Sequence, residues 1–469
     1  MSNEKTLGVT VKERDADVTL RIIEEHGHEF GPLTPEAEKK LRRKLYWHMM
    51  GLISAINLVL FVDKSSLGYA AILGLFEETG ISKAQYNNLN TFFYVGYLVA
   101  QWPGHYLMQR LPFGKFVATL VFLWSVVIFL HCVATRYAGL VVLRVCLGIV
   151  EAVITKIAVL PWKLFMITVG GVTFFLSIWV WFAYPNNPSE ARFLTLEEKV
   201  HVIRRVHDSS QSSIEQKHFK KSQFFETIKD PVSWLFALQA FTLMFCNNLT
   251  YGQQNLLTTS LGVSSLGSTL VAVAGGCFGV AVCLVATWML RRWPSQLAWH
   301  SLIWCIPAIA GGIGMVTIPW NKKLSLLACM ILAGHTYGIT YVIGLGWTTS
   351  STAGYTKKLT RNMMFMLGYS VGNLVSPQIW VPSKAPRYYG AWTSMIIVSW
   401  AGTPAVLFLI RFILKRRNQE RERWAAELSD DKREGFVEEE EDGQIVKKKV
   451  ELAMLDLTDL ENKFFIYPL

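Results

Sequence analysis

STLVAVAGGCFGVAVCLVATWMLRRWPSQLAWHSLIWCIPAIAGGIGMVTI, residues 268–318, holds two apolar runs, 268–290 and 298–318, parted by a short basic link. About 20 apolar residues, rising about 1.5 Å each in a helix, cross the hydrocarbon core of a bilayer. The link carries Arg291, Arg292 and Pro294, which belong in water. Within the runs, Gly275-Gly276-Cys277-Phe278-Gly279 and Gly311-Gly312-Ile313-Gly314 suit the close approach of membrane helices. The stretch reads as one hairpin of a multi-pass membrane protein.

The same grammar extends in both directions. Apolar blocks fall at 46–75, 89–108, 116–134, 138–155 and 164–184, then at 234–257, 268–290, 298–318, 324–347, 363–380 and 391–413. Trp179, Trp181, Trp304 and Trp347 lie near block ends, the place of an aromatic belt. Hydrophobic residues make up 51% of the 469 and charged residues 17%, against about a quarter in soluble proteins. The expected class is an all-α integral membrane protein. The net charge of +11 sits in loops and tails, as basic cytoplasmic segments do, so no nucleic-acid partner is implied. All seven cysteines lie in apolar blocks without a CxxC pair and read as small buried hydrophobes. Neither a metal-ligand spacing among the ten histidines, nor a phosphate-cradling glycine loop, nor a nucleophile triad is present. No metal, no cofactor and no enzymatic activity are expected.

The layout divides into a cytoplasmic N-tail (1–45), an N-terminal helical bundle (46–184), a central cytoplasmic loop (185–230), a C-terminal bundle (231–413) and a cytoplasmic C-tail (414–469). Two bundles joined by a long polar loop is the arrangement of the major facilitator fold, which has six helices in each. Here about 11 transmembrane helices appear instead of 12. Basic clusters place both the N-tail and the central loop inside, yet five blocks separate them. An odd number of crossings cannot join two inside segments, so either one block fails to span or a helix is missing from the first bundle.

Several strings carry a family resemblance. They are FVDKSSLGYAAILGLFEETGISKAQYNNLNTFFYVGYLVAQWPG (61–104), GLVVLRVCLGIVEA (139–152), NPSEARFLTLEEK (187–199), AGYTKKLTRNMMFMLGYSVGNLVSPQIW (353–380), APRYYG (385–390) and DLTDLENKFFIYPL (456–469). Together they resemble the fungal allantoate permease family, anion:cation symporters of the major facilitator superfamily. The resemblance implies that the fifth transmembrane helix is missing after Thr155. It also implies secondary active transport: proton-coupled symport of a small organic anion, such as allantoate, ureidosuccinate or a vitamin acid, by alternating access. The partners would be that anion, a proton and the lipid bilayer, and the protein would act as a monomer in the plasma membrane. The alternative is a truncated, non-transporting or receptor-like product of the same gene family.

Charges inside apolar blocks are costly and mark functional positions. Asp63 and Lys64 lie in the first block, and Arg144 and Glu151, two helical turns apart, in the fourth. By resemblance, Asp63 and Glu151 are the proton-coupling pair, and Lys64 and Arg144 meet the substrate carboxylate. Structural Asp63–Lys64 and Arg144–Glu151 charge pairs are the competing reading. Tyr94, Tyr97, Asn248, Tyr251, Tyr369 and Asn373 complete the expected substrate-binding set, beside Asn247 and the weaker Gln253 and Gln254.

Overall fold

The computed structural model describes residues 9–12, 26, 29–31, 33–56, 67, 70–71, 75–131, 136–150, 161–185, 191, 193–210, 219–426, 435–441, 444–450 and 456–469. Local sequence sets several helix starts. Helix α1, Pro35–Leu45, begins at Thr34, whose hydroxyl accepts from Ala37 N–H, with Pro35 in the first turn. Helix α2, Lys83–Arg110, opens on a capping box in which Ser82 and Gln85 satisfy each other's backbone N–H groups. Helices α3 (Phe113–His131), α4 (Tyr137–Val150) and α5 (Pro161–Ala183) complete the first half.

The central segment contains α6, Leu196–Ser210, and α7, Lys221–Lys229. The second half follows. Helix α8, Pro231–Met244, is capped by Asp230, and after a break the chain turns helical again through Leu249–Gln253 into α9, Gln254–Ser260. Next come α10 (Ser265–Arg292), α11 (Leu297–Thr317), α12 (Lys323–His335), α13 (Gly338–Ser350) and α14 (Tyr355–Val375). The last span runs from α15 (Tyr389–Ser394) through Met395–Ala401 into α16 (Gly402–Ala426). Helix α16 therefore passes well beyond residue 413, where the sequence placed the end of the bundle. Among the described residues, six helical spans are long and apolar enough to cross a membrane by length and composition, including Gly114–His131, Gly267–Arg292 and Tyr389–Trp424.

Both bundles are all-helical, as expected. The tails add one thing the sequence reading missed: strands β1 (Val9–Lys12), β2 (Gly435–Glu441) and β3 (Gln444–Val450) form a small sheet. Strand β1 runs parallel to β2, and β2 antiparallel to β3, with Glu438 in register with Lys447.

Packing also bears on the missing helix. In the second half, the final span packs on α11, and α14 packs on α8 and, across the molecule, on α2. In the first half, α5 packs on α3 as the final span does on α11. Helix α5 thus stands in the place of a sixth helix, and among the described residues no first-half helix takes the place that α14 takes in the second. Helix α10 accordingly exposes much apolar surface, including Leu270, Val273, Val280, Leu284 and Trp288. That exposure corrects the cysteine reading: Cys246 and Cys305 are buried, but Cys277 and Cys283 on α10 are exposed. The tryptophans divide too. Trp179 and Trp181 are exposed, but Trp304 and Trp347 are core residues, and Trp347 packs edge-on against Phe236.

Candidate functional site

The two halves meet along α2, the broken α8–α9 span and α14. A narrow cavity of about 20 Å³, room for roughly one water, lies between them. It is bounded by Asn90, Phe93 and Tyr94 of α2, Arg144 of α4, Asn247, Asn248 and Tyr251 at the break, and Asn373 of α14 with Pro377 just after it. The spacing of Asn90, Phe93 and Tyr94 puts them on one face of their helix. The break supplies the opposite wall. The chain turns at Phe245–Asn247, and the Asn248 N–H leaves the helical pattern for a partner on the segment after α14, an irregularity of the kind discontinuous membrane helices show at binding sites.

Arg144 is 4% exposed and stands among amides. Asn247 Nδ2 donates to Asn373 Oδ1 at 2.5 Å, and Asn373 Nδ2 to the Tyr369 carbonyl at 2.8 Å, so one asparagine pair ties the break to α14. Asn248 donates its backbone N–H to Ser376 Oγ at 2.9 Å, but its side-chain Nδ2 is buried without a partner. Asn90 Nδ2 is buried too, facing the Tyr86 hydroxyl as a weak partner. A buried donor without an acceptor is rare and costly, and the Asn248 amide at this cavity is one that a ligand with acceptor oxygens would satisfy.

Of the expected site residues, the structure brings Tyr94, Arg144, Asn248, Tyr251 and Asn373 to this cavity. Tyr97 and Tyr369 stand beside it instead. Their rings lie 5.8 Å apart, Tyr94 and Tyr369 are 6.1 Å apart, and the Tyr97 hydroxyl points at Met366 Sδ. They form an aromatic seam between α2 and α14, where large rings give packing area across the halves. Asp63, Lys64 and Glu151 lie outside the described residues. The sequence reading missed Asn90, although its place one turn before Tyr94 was visible.

A layer of hydrogen bonds closes one end of the cavity. Gln253 Nε2 donates to Asn87 Oδ1 at 3.0 Å, Asn87 Nδ2 to the Trp380 carbonyl at 3.2 Å, and the Tyr86 hydroxyl to the Gly252 carbonyl at 3.1 Å. Thr91 donates to the Leu374 carbonyl and accepts from Gln378 Nε2 at 2.8 Å. Beyond this roof lies a second, larger space of about 290 Å³, lined by Lys83, Trp380 and Tyr388 among others.

The far end of the second half is fixed by charge. Arg361, with no exposed side-chain surface, reaches Asp230 Oδ2 at 2.7 Å and donates to the Ser351 carbonyl, and Arg417 meets Asp230 Oδ1 at 2.8 Å. One carboxylate thus caps α8 and joins α14 to α16.

Two half-bundles around a central polar cavity, with a family model matching residues 53–159 and 153–377, decide the family. The chain belongs to the Major Facilitator Superfamily. It is 41% identical to the high affinity cysteine transporter of Saccharomyces cerevisiae over 514 aligned positions, covering 98% of this chain and 97% of that one. The allantoate permease of the same yeast is 27% identical over 495 positions, covering 93% and 88%. The allantoate permease resemblance is therefore a distant one. Both alignments are longer than the 469 residues of this transporter, so each relative carries residues with no counterpart here. The fold is also that of a bacterial homologue of the human lysosomal transporter Spinster, crystallised in an inward-facing and occupied conformation. The TM-score is 0.50 at 13% identity, covering 78% of this chain and 97% of that one. Fold and relatives are those of integral, multi-pass membrane transporters, not of enzymes.

Proposed function

We propose that this transporter is a proton-coupled symporter that imports a small carboxylate-bearing solute across the plasma membrane, as a monomer, by alternating access. The observation that carries the reading is Arg144, buried at the inter-bundle cavity with the open amide donor of Asn248 and the Asn90 amide on its walls. A guanidinium holds a carboxylate through paired, charge-assisted hydrogen bonds, and amide donors can complete its shell. The asparagine Oδ1 atoms could in turn accept from an ammonium group. An α-amino acid offers both charges, so cysteine is the first solute to test, in line with the 41% identical relative. Allantoate, suggested by the more distant relative, comes second.

In this reading, Lys64 adds a second cation to the carboxylate site, and Asp63 and Glu151 carry the proton. The N-tail, the central loop and the C-tail face the cytoplasm because of their basic clusters. The hydrogen-bonded roof through Asn87, Gln253 and Trp380 then faces outward, and the described state is closed to the outside.

The test is uptake into proteoliposomes. Labelled cysteine should accumulate under an inward proton gradient, and Arg144→Gln should abolish uptake at normal protein levels. Glu151→Gln should stop accumulation while sparing exchange, which needs no net proton step. Uptake indifferent to the gradient defeats proton coupling, and full uptake by the Arg144 variant defeats the site.

A further inference from the structure

We infer that the central segment is not one linker. Helix α6 is built into the first half, α7 is built into the second, and the C-terminal peptide 456–469 is the clamp that holds α7 there. Assigning the two helices to different moving bodies rests on the alternating-access reading; their docking does not.

Helix α6 is held by α1. Thr195 and Glu198 form its capping box, and Glu198 Oε2 also takes Lys44 Nζ at 2.6 Å. Leu41 packs with Ala191, Leu194 and Val202 in a separate apolar cluster, and His48 stacks on Phe193 at 4.6 Å. Helix α1 runs directly into the first apolar block, so α6 is tied to the start of the first bundle.

Helix α7 is held from the opposite side. Glu226 Oε1 meets Lys357 Nζ of α14 at 2.6 Å, and Gln223 Oε1 accepts from the Lys357 N–H. The C-terminal peptide then crosses over this joint. Gln223 Nε2 donates to the Asp456 carbonyl at 2.8 Å, and Thr458 Oγ1 to Glu226 Oε2 at 3.2 Å. Asp459, fully buried, takes Lys357 Nζ at 2.9 Å and the Tyr467 hydroxyl at 2.8 Å.

The rest of the peptide reaches three other helix ends of the same half. Tyr467 exchanges both backbone bonds with the Asn418 side chain of α16 at 2.9 Å. Trp347 of α13 donates to the Pro468 carbonyl, and Leu297 of α11 to the Leu469 carbonyl. Every one of these partners belongs to α7 or the second half. A peptide that ties several helix ends of one bundle makes that end a single rigid cap. It also fixes the start of α14, whose other end carries Asn373.

The division between the bodies therefore falls between Ser210 and Lys220. Hydrogen exchange on the full-length chain in nanodiscs tests the docking without any need for transport. Asp459→Asn, or the milder Tyr467→Phe if the first variant fails to fold, should speed exchange in 221–229 by about tenfold and leave 196–210 unchanged. Glu198→Gln should do the reverse. The inference is overturned if both helices respond to either variant, or if α7 ignores the loss of the clamp. Thiol cross-links by a short bifunctional maleimide between Glu226→Cys and Thr458→Cys, or between Lys44→Cys and Glu198→Cys, test the bodies. Each should form and leave uptake as in the unlinked variant. A formed link that stops uptake overturns the assignment. No uptake with or without the link counts against the transport reading and leaves the exchange result standing.

Discussion

Gly148→Ala is the sharpest test of how the site is built. Gly148 lies in α4, one turn after Arg144, where the helix touches the backbone of α2. A Cβ added there would sit 1.9 Å from the Phe93 carbonyl oxygen and 2.7 Å from the Tyr97 nitrogen. Both are backbone atoms of a helix and cannot swing aside. Restoring even a tight contact near 3.0 Å requires α4 and α2 to part by at least about 1.1 Å. Overpacking of this kind costs about 1–3 kcal/mol. The displacement also carries Arg144 away from Asn90 and Tyr94, and a shift of about 1 Å at a site that depends on geometry can cost about 100-fold in function. The expected result is a lower melting midpoint in detergent together with at least a tenfold loss of uptake, about 1.4 kcal/mol in effect. Gly346→Ala is the control, because a Cβ there meets nothing within 4 Å. Wild-type melting and uptake in Gly148→Ala would refute the close α2–α4 contact and the placement of Arg144 that depends on it.

Asn248→Ala should raise the uptake KM by about tenfold with little change in melting, since it removes one hydrogen bond to a charged ligand, about 1.5–3 kcal/mol; an unchanged KM would exclude Asn248 as a ligand. Asp230→Ala strands the buried Arg361 and should cost about 3–5 kcal/mol of stability, so an unaltered denaturation profile would count against that ion pair. Burial alone would raise the Asp459 carboxyl, but the charges of Arg361 and Lys357 outweigh it and hold it below the ordinary aspartate range. Its contribution is therefore present above the unfolded pKa and lost only as pH falls through the lowered folded one. Resistance of the C-terminus to carboxypeptidase should stay constant from about pH 8 to about pH 5, and a loss within that window would contradict the assignment. Inserting the cysteine transporter's extra segment after Thr155 should bury Cys277 and Cys283 against thiol reagents and raise uptake; equal labelling and uptake would show that five helices suffice in the first half.

The apolar blocks, their length and the basic links between them determined the all-helical membrane class from sequence alone, and set up the two-bundle layout and the gap in the first half as expectations. These are one-dimensional signals, because a bilayer demands an apolar run of set length wherever it is crossed. The caps at Ser82, Thr195 and Asp230 are local signals of the same kind, each acting on its own next turn, although the sequence reading did not draw on them. Arg144 stood out because charge in an apolar run is costly. Only the tertiary structure decided its company. Asn90 and Asn248 lie far apart in the chain, and whether such an amide faces a cavity or a neighbouring helix depends on helix rotation, which hydropathy does not encode. The same holds for Tyr97 and Tyr369, expected at the substrate site and placed in a ring contact beside the inter-bundle cavity. The final 14 residues read as a charged tail, yet Asp459 and Tyr467 are buried. Their partners Lys357, Asn418 and Arg421 converge on them only once the second bundle has assembled. Long-range pairing of that kind leaves no local period or spacing in a sequence, so it becomes visible only in the folded chain.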